Sequence, residues 1–90
     1  MRTIERTNRF KKEYQRHVAG TSLETEFAAL VKLLVQGTPL PAGYRDHPLK
    51  GVLAGCRDFH MRGDLVVIYQ VTPDLVKFFR VGSHSELFGR

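Results

Sequence analysis

Apolar residues along this chain follow two different periods, and the switch between them divides it near the middle. In the first half they recur at helical spacing. Phe10, Tyr14 and Val18 in NRFKKEYQRHVAG step by four, onto one face of a helix. Leu23, Phe27, Leu30, Val31 and Leu34 in TSLETEFAALVKLLVQG form a second stripe. Asn8 is placed to cap the first helix and Gly20 to end it. Thr21 and Glu24 have the spacing of a capping box for the second helix, and Gly37 stands where it should stop. Two such helices joined by a tight turn predict a helical hairpin. Ahead of them TIER, residues 3–6, offers a short strand around Ile4.

The second half changes period. GTPLPAGYRDHP, residues 37–48, holds three prolines and two glycines and reads as a loop crossing to something new. CRDFHM then alternates, with Arg57, Phe59 and Met61 on one parity and Cys56, Asp58 and His60 on the other. LVVIYQV, residues 65–71, is apolar on both parities, the pattern of a central strand covered on both faces. LVKFFRV, residues 75–81, is the last strand, and RGD and TPD supply the intervening turns. The expected fold is α+β in the order β-α-α-β-β-β. It is one domain spanning residues 1–90, with the helical hairpin on one face of a small antiparallel sheet and a short C-terminal tail or helical turn. Gly82 is expected to let the last strand turn out, and Leu87 to fold back and anchor the tail.

Charge adds a partner class to this picture. The chain carries 14 Lys and Arg against 9 Asp and Glu, a formal +5. That balance favours a polyanion: nucleic acid or an acidic protein. The N-terminus has no apolar signal region, and no stretch approaches a transmembrane span, so the expected location is the cytoplasm. The single cysteine, Cys56, cannot form an internal disulfide, and the count excludes zinc sites built on paired cysteines.

Chemistry concentrates in the histidines. Of four, His47, His60 and His84 lie in the second half, each near a strand end or loop, with Asp64 just beyond His60. His17 lies beside the first helical stripe and reads as a surface residue. Metal-free cleavage of RNA needs a base for the 2′-hydroxyl, an acid for the departing 5′-oxygen, and cations for the phosphoryl charge. Histidine can supply either proton service near neutral pH. Arg80 shares strand parity with Gly82 and His84 and can hold phosphate oxygens. His47, His60, His84 and Asp64 are also ligand types that zinc accepts, but no H-x-H or H-x-x-x-H spacing pre-orients two of them, and no metal is expected.

Five motifs, taken jointly, make the chain resemble a known family. They are T-x-x-F-K-K-E from Thr7, L-P-x-x-Y-R-D-H-P-L-K-G at 40–51, G-C-R-D-F-H at 55–60, D-L-V-V-I-Y at 64–69 and G-S-H-S-E-L-F-G at 82–89. Their order and spacing resemble YafQ-type toxins of bacterial toxin–antitoxin modules, within the RelE/ParE superfamily. The resemblance implies a ribosome-dependent endoribonuclease that cuts mRNA in the A site without metal or other cofactor. It implies neutralisation by a cognate antitoxin, which should present an acidic or partly disordered segment to a +5 toxin. It also implies functional roles for His47, His60, Asp64, His84 and, near the end, Phe88. Arg80 and Phe88 are the expected substrate contacts. Two positions depart from the pattern: Leu65 stands where some members carry tryptophan, and Phe59 where others carry a small residue. The alternative is a ParE-like toxin that binds and inhibits DNA gyrase, for which the three motif histidines would be incidental.

Overall fold

The computed structural model describes residues 1–89. A short strand, β1 (Thr3–Arg6), leads into helices α1 (Asn8–His17) and α2 (Leu23–Gln36). A two-residue strand, β2 (His47–Pro48), precedes β3 (Arg57–His60), β4 (Leu65–Val71) and β5 (Leu75–Ser83). The chain then closes on a short helix, α3 (His84–Phe88). The α+β order predicted from the pattern is present. The Pro-rich loop adds β2, and the tail is helical.

The five strands form one sheet in the order β1-β5-β4-β3-β2. β3, β4 and β5 make the expected antiparallel meander, and β4 is central. β1 departs from expectation by pairing in parallel with β5, Thr3 opposite Leu75 through Arg6 opposite Phe78, so the sheet is mixed. All four β1 residues are exposed, so no buried face marks the strand's direction in the sequence.

The helix caps also differ from the sequence reading. Thr7, not Asn8, caps α1: its hydroxyl accepts from the Phe10 N–H at 3.0 Å and donates to the Phe79 carbonyl at 2.8 Å. One side chain thus ends a helix and ties it to β5. Thr21 and Glu24 do not close a capping box on each other. The Glu24 carboxylate accepts from the Gly20 N–H, and the Thr21 hydroxyl accepts from Leu23 and donates to the Val18 carbonyl. Gly37 ends α2 as expected, in the left-handed conformation at φ 77°.

The helices cover one face of the sheet. Phe10 from α1 and Phe27 from α2 meet Phe78 on β5, each with ring centroids 5.3 Å from it, and Phe59 on β3 meets Tyr69 on β4 at 5.6 Å. Burying each such side chain stabilises the fold by ~1.5–3 kcal/mol. Phe59 is wholly inside this core.

Beyond the end of β1, the outer edge of β5 is closed by α1 instead of a strand. Glu13 is buried yet fully engaged: its carboxylate accepts from the Val81 N–H at 3.2 Å and from Arg80 at 2.6 Å and 3.3 Å. Side chains here take over the work of ladder hydrogen bonds.

Candidate active site

The opposite face of the sheet carries the histidines, and strand register brings them together. Asp58 lies opposite Ile68, and His60 opposite Val66, which in turn lies opposite Gly82. On the outer side of β3, β2 sets His47 opposite Asp58. The two-residue period puts all of these on one face. α3 starts where β5 ends, at His84, and one turn later its Phe88 ring packs 4.8 Å from the His84 ring. His47, Leu49, Asp58, His60, His84 and Phe88 line one cavity of about 330 Å³. A larger groove, of about 460 Å³, lies between β1 and the helices, but neither histidine nor carboxylate lines it.

Asp58 is the electrostatic centre of this cavity. It is only 2% exposed, and its Oδ1 lies 2.8 Å from His47 Nε2 and 3.6 Å from His60 Nε2. Neither contact is an aligned hydrogen bond, so Oδ1 is buried without one. Burial, above all, pushes the Asp58 carboxyl above its ordinary value, while the charges of His47, His60 and His84 pull it down. Burial also holds His60 below its ordinary value, against the opposing pull of Asp58. A neutral imidazole is therefore present at neutral pH, able to take up a proton. The His47 and His60 rings stack at 5.9 Å, with His47 the more open.

Supports outside the cavity fix these groups. Asp46, next to His47, accepts from the Tyr69 hydroxyl at 2.6 Å and from Arg57 at 3.0 Å. Burial and this carboxylate drive the Tyr69 phenol far above its usual range, so it stays a donor. α3 is built on a capping box: the Ser83 hydroxyl accepts from the Glu86 N–H, and the Glu86 carboxylate accepts from the Ser83 N–H. Gly82 does not turn the strand out, because β5 runs on to Ser83. Its lack of a side chain instead lets α3 lie close, since a Cβ there would sit 3.1 Å from Glu86 Oε1 and 3.4 Å from Leu87 Cδ2. Leu87, half-buried, lies over Gly82.

Two expected site residues are placed elsewhere. Asp64 does not touch an imidazole. Its carbonyl and its Oδ2 each accept from the His84 backbone N–H at 3.2 Å, which positions the residue but not its ring. Arg80 shares the histidine face by parity, but its guanidinium turns to Glu13 and does not line the cavity. A buried carboxylate on the neighbouring helix outcompeted the open site for that cation. Conversely, the sequence reading missed Asp58, although its parity with His60 was visible. It also missed Arg45, exposed and held at φ 50°, whose charge acts on His60. Among the described residues Arg45 makes no ion pair. His47, Asp58 and His60 each offer a ligand atom, all within 4.8 Å of one another, a donor set that suits zinc or copper. Register across β2 and β3 assembles it, which is why spacing along the chain did not reveal it.

Comparisons with known proteins agree with this fold. A family model described as the bacterial toxin of a type II toxin–antitoxin system, YafQ, matches residues 2–89. The mRNA interferase toxin YafQ of Escherichia coli strain B / BL21-DE3 is 38% identical over 89 residues, covering 98% of this chain and 97% of that one. The toxin in a crystal structure of the E. coli DinJ–YafQ complex superposes with a TM-score of 0.82 at 36% identity, over 99% of this chain and all of that one. A metal-bound toxin from Helicobacter pylori gives 0.81 at 37% identity, over 98% of this chain and all of that one. No helix among the described residues is long and apolar enough to cross a membrane.

Proposed function

The chain belongs to the YafQ family of bacterial type II toxins and is an mRNA interferase, an endoribonuclease; on that premise we propose that it cuts mRNA in the A site of the translating ribosome by histidine acid–base catalysis, without a metal. The observation that carries this reading is the convergence of His47, His60, Asp58, His84 and Phe88, from β2, β3 and α3, on one cavity.

His60, kept neutral by burial, removes the proton from a 2′-hydroxyl. The 2′-oxygen bonds to phosphorus, the bond to the 5′-oxygen breaks, and His84 protonates that leaving oxygen. The products are a 2′,3′-cyclic phosphate and a free 5′-hydroxyl. Asp58 stabilises the imidazolium that forms on His60, and His47 supports it from the outer side. Arg45 takes the phosphate role that sequence parity had given Arg80. Phe88 offers a face for a nucleobase, worth ~1–3 kcal/mol if stacked. Asp64 acts through the backbone of His84. The test replaces His60 and His84 by alanine in turn and assays mRNA cleavage on translating ribosomes. Full activity in both variants would sink the assignment.

The partner that silences the toxin is a cognate antitoxin with an acidic or partly disordered segment, by analogy with the E. coli complex and from the +5 charge. Ribosome and mRNA are the other partners, and the cytoplasm is the place of action.

A second reading of the same residues has its own support. His47, Asp58 and His60 form a ligand set, and the H. pylori relative is a metal-bound toxin. A transition metal held there would occupy the lone pair that His60 needs as base, so it would inhibit. Chelator should leave cleavage intact, and added zinc should abolish it. Loss of cleavage on chelation would reverse the assignment and make the metal a cofactor.

A further inference from the structure

A five-residue helix has little stability of its own. α3 nevertheless carries two residues that line the cavity, His84 and Phe88. Something must hold it at a defined angle. Its capping box closes its own N-terminus, and Asp64 fixes the first N–H, but both bonds lie at the start of the helix. A third tie comes from the other side of the molecule. Glu86, in the middle of α3, faces the last turn of α1. Its Oε1 lies 3.2 Å from His17 Nε2, and its Oε2 lies 3.7 Å from the Arg16 guanidinium.

His17 is not the surface residue its position beside the stripe suggested. Its side chain is only 22% exposed, and Nε2 is buried with no aligned hydrogen bond. A buried polar atom without a partner calls for an explanation. The Glu86 carboxylate, 3.2 Å away, supplies one. The Ser83 N–H above all, joined by the Ser83 hydroxyl and the charges of His17 and Arg16, holds the Glu86 carboxyl below its ordinary value. Glu86 is therefore a charged hub shared by β5, α1 and α3.

We propose that His17 is a positioning residue for the cavity: through Glu86 it ties α3 to α1, and this tie sets where His84 and Phe88 stand. The inference rests on the nuclease reading, in which His84 is the acid. Small misplacements of a reacting group lower rates steeply, so the tie acts on turnover and less on binding.

The test uses the full chain on programmed ribosomes, with single-turnover cleavage rates measured across toxin concentration. His17→Ala should lower the saturating rate by about tenfold with a much smaller change in half-saturation. His17→Gln, whose amide can donate to Glu86, should recover most of it. Glu86→Ala should match His17→Ala, and the double variant should be no worse than either, because both break one contact. The His84 and Phe88 ring signals in NMR spectra should shift together in His17→Ala and return in His17→Gln. Rates and ring signals of His17→Ala equal to wild type would overturn the inference, as would losses that multiply in the double variant. If His17→Gln failed to recover both readouts, a bulk packing role would replace the positioning one. A His84→Ala variant run alongside separates the two claims: wild-type cleavage there defeats the nuclease reading, and the ring signals then judge the tie by themselves.

Discussion

The two faces of the sheet are built on opposite principles. The helix face is apolar and close-packed, with Phe10, Phe27, Phe59, Tyr69 and Phe78 in one continuous cluster. The other face interleaves Val66 and Ile68 with Asp58, His60 and His47. Asp58 is as buried as the core phenylalanines, yet its Oδ1 has no aligned hydrogen bond. Buried, underbonded charge is expensive to keep in a structural role. A fold tolerates it where that charge acts on something, here two imidazoles within 4 Å. The contrast teaches which face holds the fold together and which one is held in place by it.

Substitutions on the two faces should therefore separate stability from activity. Phe78→Ala empties the middle of the aromatic cluster and should lower unfolding free energy by ~3–5 kcal/mol in urea titration. His60→Ala should slow cleavage by about 10²–10⁴-fold while leaving the urea midpoint nearly unchanged. If His60→Ala unfolds the protein as readily as Phe78→Ala, the two faces are not different in kind.

Asp58→Asn sharpens the same comparison by changing one atom. The Asp58 carboxyl is raised in the folded state, so the fold binds its proton more tightly than the unfolded chain does. Its stabilising contribution is complete below the ordinary value of 3.8 and is lost as pH rises through the raised one. At pH 7 the charge is a burden on the fold. Asp58→Asn should therefore melt above wild type at pH 7, lose that advantage near pH 3, and cleave mRNA poorly at every pH. A variant that melts lower at pH 7 would show that the imidazoles more than offset the burial of Asp58.

His60 has the opposite sign. Its folded value is depressed, so its stabilising contribution is complete above 6.5 and is lost as pH falls through the folded value. Wild type should lose stability on acidification below about pH 6.5, and His60→Gln should flatten that limb of the profile in thermal melts. Equal slopes in the two proteins would mean that His60 protonates freely inside the fold.

The two faces also differed in how much of them could be read from the sequence. The helix face was legible, because its burial repeats with the period of each element. Phe10 and Val18, and Phe27, Leu30 and Leu34, announce their stripes, and LVVIYQV its central place. The site was legible only in part. Motif resemblance named His47, His60, His84 and Phe88, which do share a cavity, but among the carboxylates it named Asp64 and not Asp58, the one that lines that cavity. Those two carboxylates differ in strand register: Asp58 points inward beside His60, and Asp64 sits in the turn. Arg80 misled for a related reason. Parity gives the face of a strand residue but not the direction of a long side chain, and Glu13 lies 67 residues away in sequence. The parallel pairing of β1 was likewise set by contacts distant along the chain.

The smallest expected effect lies where the two faces are joined, at Gly82. This residue sits in β5 opposite Val66, under α3. Its backbone conformation is ordinary, so alanine brings no strain of its own, only a methyl group. That methyl would meet Glu86 Oε1 at 3.1 Å and Leu87 Cδ2 at 3.4 Å, both ends of flexible side chains. They can give way by a few tenths of an ångström, and α3 moves with them. Gly82→Ala should shift the melting temperature by no more than a few degrees, because the methyl meets only side chains that can move aside. Cleavage should fall by a few-fold more than that stability change explains, because the helix that moves carries His84. Gly82→Val should enlarge the rate effect far more than the thermal one. Equal proportions in rate and stability across Ala and Val would place α3 with the structural face and remove it from the functional one.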